Sequence, residues 1–321
     1  VQTCALPISH GMGAFPKPSN RAREARWLVI RHNPYVLFLS GTPSPESYSQ
    51  MYHQMWVLGS RSPFSERDFY KWAATYVKVW ERMINGFRVN DYSNANQEMV
   101  MGALKPYMIS YTQSEAGFTS KVNEHVLKVK MSDTTYKIAD KLKRDLVFEG
   151  KEDVILADTP VKLMQKLHQI YSGTIILESG KRLVFDNSKS YFIKEHFKGK
   201  RIAVFYKFQA ELESLLSVFQ EDMTTDFGKF HANICDNFAI QIVTGREGIS
   251  LKEADCLVYF NIDFSATSYW QSRDRLTTME RLENNVYWIF SDGGIEEKIY
   301  QVVKKKKAYT LSHFKKDLLN L

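Results

Sequence analysis

Apolar residues in this chain follow two patterns, short unbroken runs and stretches in which they recur every three or four positions. Residues 35–39, 202–206, 240–243, 257–260 and 286–290 are unbroken or nearly unbroken runs of strand length. A strand reads this way when both its faces are buried, as in a parallel sheet covered by helices. Helical periodicity fills the intervals: residues 210–219, 265–275 and a long helix from Ile295 onward. Residues 160–171 predict a helix ahead of this series. Residues 174–177 and 182–185 flank Glu178-Ser179-Gly180-Lys181 and predict a β-hairpin. Strands alternating with amphipathic helices predict an α/β fold, with parallel sheets flanked by helices.

The amino-terminal part is less regular. Residues 10–34 read as a Gly/Pro-rich loop and then a short helix from Ser19 or Asn20. After the run at 35–39 the chain turns through Ser40-Gly41-Thr42-Pro43. Ser44 is the expected cap of a following helix, with Pro45 at its first position. Tyr48, Met51, Tyr52, Met55 and Trp56 would share one face of that helix. Residues 60–150 read as mostly helical and polar. Trp72, Tyr76 and Trp80 recur there at helical spacing, which points to packing and not to base stacking. Residues 151–159 read as a linker.

A length of 321 residues suits two domains, and 44% hydrophobic with 25% charged residues is ordinary for a chain with real cores. The net charge of +7 favours an anionic partner, with nucleic acid the usual one. Cys4, Cys235 and Cys256 are far apart, so no zinc ribbon or disulfide framework is expected. No metal site is predicted. No apolar run reaches the length of a membrane span, and no secretion signal is recognisable; a cytoplasmic protein of a bacterium or phage-infected cell is the expectation.

The most informative stretch is 241–281, QIVTGREGISLKEADCLVYFNIDFSATSYWQSRDRLTTMER. It places a Gly-containing turn after one apolar strand, then a second strand, then a helix bearing Gln271, Arg273, Arg275 and Arg281. A guanidinium is always charged and bonds phosphate oxygens in a planar, bidentate way. The segment resembles motifs V and VI of superfamily-2 helicases, most closely the Swi/Snf-like branch of chromatin remodellers and many phage helicases. Ser40-Gly41-Thr42-Pro43 resembles motif III of the same family, which links the nucleotide site to the nucleic-acid groove. Matched position by position, Thr244, Gly245, Gly248 and Ser250 stand for motif V. Gln271 opens motif VI and Arg275 is its first arginine. The second arginine would fall at Thr278, a departure that leaves Arg281 or Arg273 as its substitute. Asp263 is expected to cap the helix region at Ser265 and not to act in catalysis.

The resemblance implies two RecA-like lobes, the first only partial, with a helical protrusion between them. It also implies ATP and Mg2+ as cofactors and DNA as partner. Yet GxxxxGK[ST] is absent, and so is an intact Asp-Glu-x-His box. His10 is either the last residue of that box or a loop histidine. Residues 1–8, VQTCALPI, look like translated adaptor sequence. The expected organisation is therefore a non-native leader (1–9), a lobe-one remnant with protrusion (10–150), a linker (151–159) and lobe two (160–321). The expected function is the carboxyl-terminal part of an amino-terminally truncated, ATP-dependent DNA helicase or translocase, inactive in hydrolysis by itself. The alternative is a nucleic-acid-binding platform that does not hydrolyse ATP. An unrelated doubly wound metabolite enzyme would need a Gly-rich phosphate loop, which the sequence lacks.

Overall fold

The computed structural model describes residues 3–7, 9–41, 43–44, 46–84, 87–110, 115, 117, 119–149, 154–246, 248–278, 280–305 and 314. Its contacts divide the chain into two compact units, Val1–Thr112 and Gln113–Leu321.

In the first unit β1 (Thr3–Pro7), expected as a non-native leader, lies parallel to β2 (Tyr35–Leu39). Between them α1 (Asn20–His32) starts where Ser19 accepts a hydrogen bond from Ala22 N at 3.1 Å, and it stops at Asn33, whose φ is 45°. α2 (Gln50–Trp56) buries Met51, Tyr52 and Met55 as the periodicity predicts. It begins later than a cap at Ser44 would place it. Ser47 and Ser49 donate instead to the carbonyls of Ser93 and Tyr92, which holds 47–49 in a turn. Pro45 lies outside the described residues. α3 (Phe69–Tyr76) is capped by Asp68 and ends where Val77 becomes extended and bridges Ala95. The chain then forms a hairpin, β3 (Trp80–Ile84) with β4 (Phe87–Asp91), and α4 (Gln97–Leu104). Trp72 is fully buried and stacks on Tyr76 at 5.2 Å, whereas Trp80 sits in β3, half-exposed, because the helix has already ended. β2 was expected to be buried on both faces. Among the described residues its sheet has two strands, and Tyr35, Leu37 and Leu39 remain exposed.

The second unit opens with β5 (Lys121–Val129), α5 (Asp133–Asp145) and the short pair β6 (Val147–Glu149) and β7 (Val154–Leu156). α6 (Pro160–Ile170), capped by Thr159, leads to the hairpin β8 (Thr174–Ile176) and β9 (Arg182–Val184). Then follow α7 (Ser188–His196), β10 (Ile202–Tyr206), α8 (Gln209–Phe219), β11 (Met223–Thr224), α9 (Phe227–His231) and β12 (Asn237–Gln241). α10 (Ile242–Gly245), β13 (Cys256–Tyr259), α11 (Ala266–Ser272), β14 (Glu283–Ser291) and α12 (Glu296–Val303) complete it. Six strands form one sheet in the order β11-β12-β10-β13-β14-β5, and every neighbouring pair is parallel. The predicted α/β architecture, a parallel sheet flanked by helices, is what this unit adopts.

Alternate residues of β10 serve opposite faces. Ala203 and Phe205 enter the core shared with α5, α6, α11 and α12, while Ile202, Val204 and Tyr206 enter the one under α7 and α8. Phe205, Tyr259 and Trp288 stack across three strands, at 4.9 and 3.9 Å between successive rings. The predicted strand at 240–243 lies slightly earlier, at 237–241, because Ile242 begins a helical turn.

One further expectation is corrected. Residues 121–129, in a region read as mostly helical, form an edge strand paired along its whole length with β14. The compact units divide between residues 112 and 113, ahead of the expected linker at 151–159, and β5 and α5 pack with the elements of the second unit. Residues 151–153 of the expected linker lie outside the described residues, and 154–156 belong to β7. Among the described residues no helix is long and apolar enough to cross a membrane.

Candidate functional site

Because all six strands run parallel, their carboxyl ends gather at one edge of the sheet. The chain leaves β10 toward β11 but leaves β13 the opposite way, toward β14, so the connections reverse direction between the adjacent strands β10 and β13. In open parallel sheets this reversal leaves a crevice where ligands bind. Lys207 follows β10, Gln241 closes β12, and Asn261 and Asp263 follow β13. Gln241 Nε2 donates to Lys207 O at 3.0 Å, and the Lys207 ammonium pairs with Asp263 Oδ1. Ser268 Oγ donates to Asp263 Oδ2 at 2.8 Å, and Arg246 Nη1 donates to Ser268 Oγ at 2.8 Å. Burial would raise the Asp263 pKa, but the Lys207 charge and the hydroxyl and amide donors hold it below the usual carboxylate range. The expected capping role passes to Ser265, which accepts from Ser268 N; Asp263 instead anchors a lysine.

A second, fully buried layer supports this edge. Glu211 Oε2 accepts from the amides of Lys207 and Phe208 at 2.7 and 2.9 Å, and Glu211 Oε1 accepts from Asn261 Nδ2 at 2.6 Å. Asn261 Oδ1 accepts from Ile262 N at 2.8 Å and faces His168 Nε2 at 2.6 Å. An amide oxygen cannot donate, so His168 carries its proton on Nε2 and leaves Nδ1 bare. Burial, reinforced by the Lys207 charge, pushes the imidazole pKa well down, and burial pushes that of Glu211 up. The loop after β10 is thus held by buried side chains on three elements.

The segment resembling motif V lies on the same edge. Thr244, Gly248 and Ser250 are exposed, and Gly248 has a φ of +74° with open space where a Cβ would project. Gly245 is different. It is buried in α10, and a Cβ there would come within 2.5 Å of Phe205 Cε1 and 2.9 Å of Ile240 Cγ2. Its smallness lets α10 pack on the sheet. Glu247 lies outside the described residues.

The helix expected over 265–275 ends at Ser272 and continues as a tighter 3-10 turn, Arg273–Leu276. Ser272 Oγ donates to Ser268 O and accepts from Tyr259 OH, each at 2.6 Å. Such hydroxyl bonding to the preceding turn bends helices. Gln271 is buried, and its carbonyl accepts from Arg275 Nε at 2.8 Å. Arg275 Nη1 reaches Ile249 O at 3.4 Å, and Leu251 N donates back to Arg275 O at 3.0 Å. The Arg281 guanidinium donates to the carbonyls of Ala254 and Asp255, at 2.7 and 2.8 Å, with a longer contact to Lys252. The structure therefore brings Arg275 and Arg281 onto the 249–255 segment, with backbone carbonyls as their partners.

Arg273 belongs elsewhere. Its Nη1 donates to Glu124 Oε1 at 3.0 Å, and its guanidinium lies 4.1 Å from the Trp270 ring centroid. Glu124, on β5, also accepts from Tyr269 OH, Trp288 Nε1 and Tyr300 OH at 2.8, 2.9 and 3.1 Å. One carboxylate thus ties β5 to α11, β14 and α12.

Ser40, Gly41 and Pro43 lie in the first unit, where Pro43 O accepts from Gln54 Nε2 at 2.6 Å. Thr42 lies outside the described residues, and His10 falls in the 3-10 turn Ser9–Met12. Lys207, Glu211, Asn261 and His168 were not singled out from sequence. One signal was available for Lys207, since it directly follows an unbroken apolar run and so sits at the ligand-bearing end of a parallel strand. Among the described residues no group of three or more His, Cys, Asp or Glu is arranged to hold a metal ion.

No family model matches the sequence, and comparison with curated proteins finds no match. Among solved structures the chain is similar to the C-terminal part of the Fun30 ATPase domain. That similarity has 15% identity and a TM-score of 0.45, over 61% of this chain and 92% of the other. It is also similar to the Sulfolobus solfataricus SWI2/SNF2 ATPase core in complex with dsDNA. Here identity is 14% and the TM-score 0.40, over 98% of this chain and 69% of the other.

Proposed function

We propose that this chain supplies the second RecA-like lobe, and part of the first, of an ATP-dependent DNA helicase or translocase of the Swi/Snf-like branch. The observation that carries the reading is the direct bonding of the two segments that resemble motifs V and VI. Arg275 Nη1 donates to Ile249 O and Arg275 O accepts from Leu251 N, at the carboxyl edge of a parallel sheet. In this reading Thr244, Gly248 and Ser250 meet the nucleic-acid backbone, and Gly245 lets their turn pack on the sheet. Gln271 and Arg275 face the γ-phosphate of ATP. The 3.4 Å contact of Arg275 with Ile249 O is long, so a phosphate oxygen readily replaces that carbonyl. Ser40, Gly41, Thr42 and Pro43 couple the nucleotide to the strand, and His10 belongs to the nucleotide-binding box.

The residues present do not fit magnesium or the inner phosphates of ATP, because no GxxxxGK[ST] and no intact Asp-Glu-x-His box occurs in the sequence. Hydrolysis requires those groups from another segment, and the 321-residue chain alone does not turn over ATP. A non-hydrolysing DNA platform is the second reading. Two observations favour it: Thr278 in place of an arginine, and Arg281 occupied by backbone carbonyls.

Fluorescence anisotropy with labelled duplex DNA tests the common part of both. The chain should bind with an affinity that falls steeply as salt rises, since phosphate contacts dominate such interfaces. Absence of salt-dependent binding, or robust ATP turnover by the purified chain, would overturn the proposal. Supplying a lobe with an intact phosphate loop separates the readings. DNA-stimulated hydrolysis that Arg275→Ala abolishes without weakening ATP or DNA binding supports the translocase. No hydrolysis in that complex supports the platform.

A further inference from the structure

Helix α1 breaks two local rules. Arg21 and Arg23 lie in or next to its first turn, which contains no acidic residue, although the helix dipole disfavours positive charge there. Trp27 and Ile30 are 56% and 59% exposed on the same helix, although a solvent face is ordinarily polar. The spacing of Arg23, Trp27, Ile30 and Arg31 puts them on one face, with Arg26 beside it. With Trp56 they line one open groove.

The rings in this groove are already paired with cations. The Arg26 guanidinium lies 4.2 Å from the Trp56 centroid, and its Nη1 donates to Trp56 O. The Arg31 guanidinium lies 5.0 Å from the Trp27 centroid. Arg23 is exposed, and Nη1 makes a 3.4 Å contact with Asn20 Oδ1. Four arginines stand on α1 against one acid, Glu24, at the border of the face beside Arg31. Local rules broken together, without a packing gain, mark a working surface.

We propose that this face binds an unpaired nucleic-acid strand, with a base stacked on Trp27 and neighbouring phosphates on Arg23 and Arg31. Arg26 holds Trp56 as the groove wall. Aromatic rings flanked by arginines suit single strands, because a duplex hides the base faces that stacking needs. An acidic peptide would use the charges and leave the indole without a role. The site lies wholly within the first unit and does not depend on the assignment of the second.

The test is oligo(dT) binding by the full chain, read by anisotropy, with circular dichroism confirming that each variant folds. Trp27→Ala should weaken binding by about 5- to 150-fold, the span of a single base–ring stack, and Trp27→Phe should restore much of it. Arg23→Gln with Arg31→Gln should reduce the salt slope by about 1.4, roughly 0.7 for each phosphate no longer neutralised. A 5-iodouracil crosslink should map to residues 20–31. Unchanged oligo(dT) affinity in these variants, or binding of anionic vesicles without oligo(dT), overturns the proposal. Crosslinks confined to residues 200–290 also overturn it, and they leave the DNA-binding reading of the second unit standing.

Discussion

At the scale of single residues, Gly245 and His168 make the most specific claims. A methyl group at 245 must displace a ring carbon of Phe205 and a methyl of Ile240, both in the packed core. Overpacking of this kind costs about 1–3 kcal/mol. Gly245→Ala should therefore lower the urea midpoint of the second unit. Gly248→Ala should cost about 1 kcal/mol, through its left-handed backbone alone. If Gly245→Ala leaves stability intact but weakens DNA binding, this glycine serves ligand approach after all.

The folded-state pKa of His168 lies well below its ordinary value of 6.5. Between those two values the unfolded chain binds the proton and the folded chain does not. Its contribution is complete above pH 6.5 and is lost as pH falls through that window. The slope is at most about 1.4 kcal/mol per pH unit for one group. His168→Gln keeps a donor toward Asn261 and does not titrate. Melting temperatures at pH 7.5 and 5.5 should differ less in the variant than in the wild type. Asp263 and Glu211 titrate in both proteins, so the comparison isolates the histidine. Equal pH dependence would show that His168 is not held neutral.

At the scale of elements, Glu124 explains why a strand far away in sequence belongs beside the arginine-bearing helix. Four donors from α11, the following 3-10 turn, β14 and α12 converge on this carboxylate. Arg273, considered from sequence as a substitute phosphate-facing arginine, is instead the cation of this cluster, with both partners mostly buried. Removing one member of a buried ion pair strands the other charge and costs about 3–5 kcal/mol. Arg273→Ala should cost about 3 kcal/mol by denaturant titration, toward the lower end because Arg273 keeps some exposure. A double-mutant cycle with Glu124→Gln should show strong coupling. Destabilisation below about 0.5 kcal/mol, the range of ordinary surface substitutions, would leave Arg273 available to face a phosphate.

At the scale of the whole molecule, the compact units set what can fold alone. β5 pairs with β14 at nine positions, and α5 contributes Ile138, Ala139 and Leu142 to the larger core. Residues 119–321 should therefore unfold in one cooperative transition when expressed by themselves. Residues 160–321, the lobe expected from sequence, lack both elements. They bare one edge of β14 and leave Tyr269, Trp288 and Tyr300 without their carboxylate. That shorter chain should unfold at lower urea and tend to aggregate, as an unpaired apolar edge does. Equal stability of the two polypeptides would place the boundary back near residue 160.

Apolar runs and helical periods by themselves determined that residues 160–303 alternate strands and helices. They located β10, α8, β13, β14 and the hairpin at 174–184, because burial on both faces leaves an unbroken apolar signature. The motif-like strings led to the loops after β12 and β13, and those strings lie in local chain order. Only the tertiary structure decided which strand joins the sheet from outside that order. β5 carries polar residues such as Asn123, Glu124 and His125, and the partners of Glu124 and His125 are more than a hundred positions away. Only the fold decided that Gly245 meets Phe205, that Arg273 meets Glu124, and that Lys207 meets Asp263. Each of these is a contact between segments distant along the chain. Local periodicity reports which face of an element is buried, and it says nothing about what buries it.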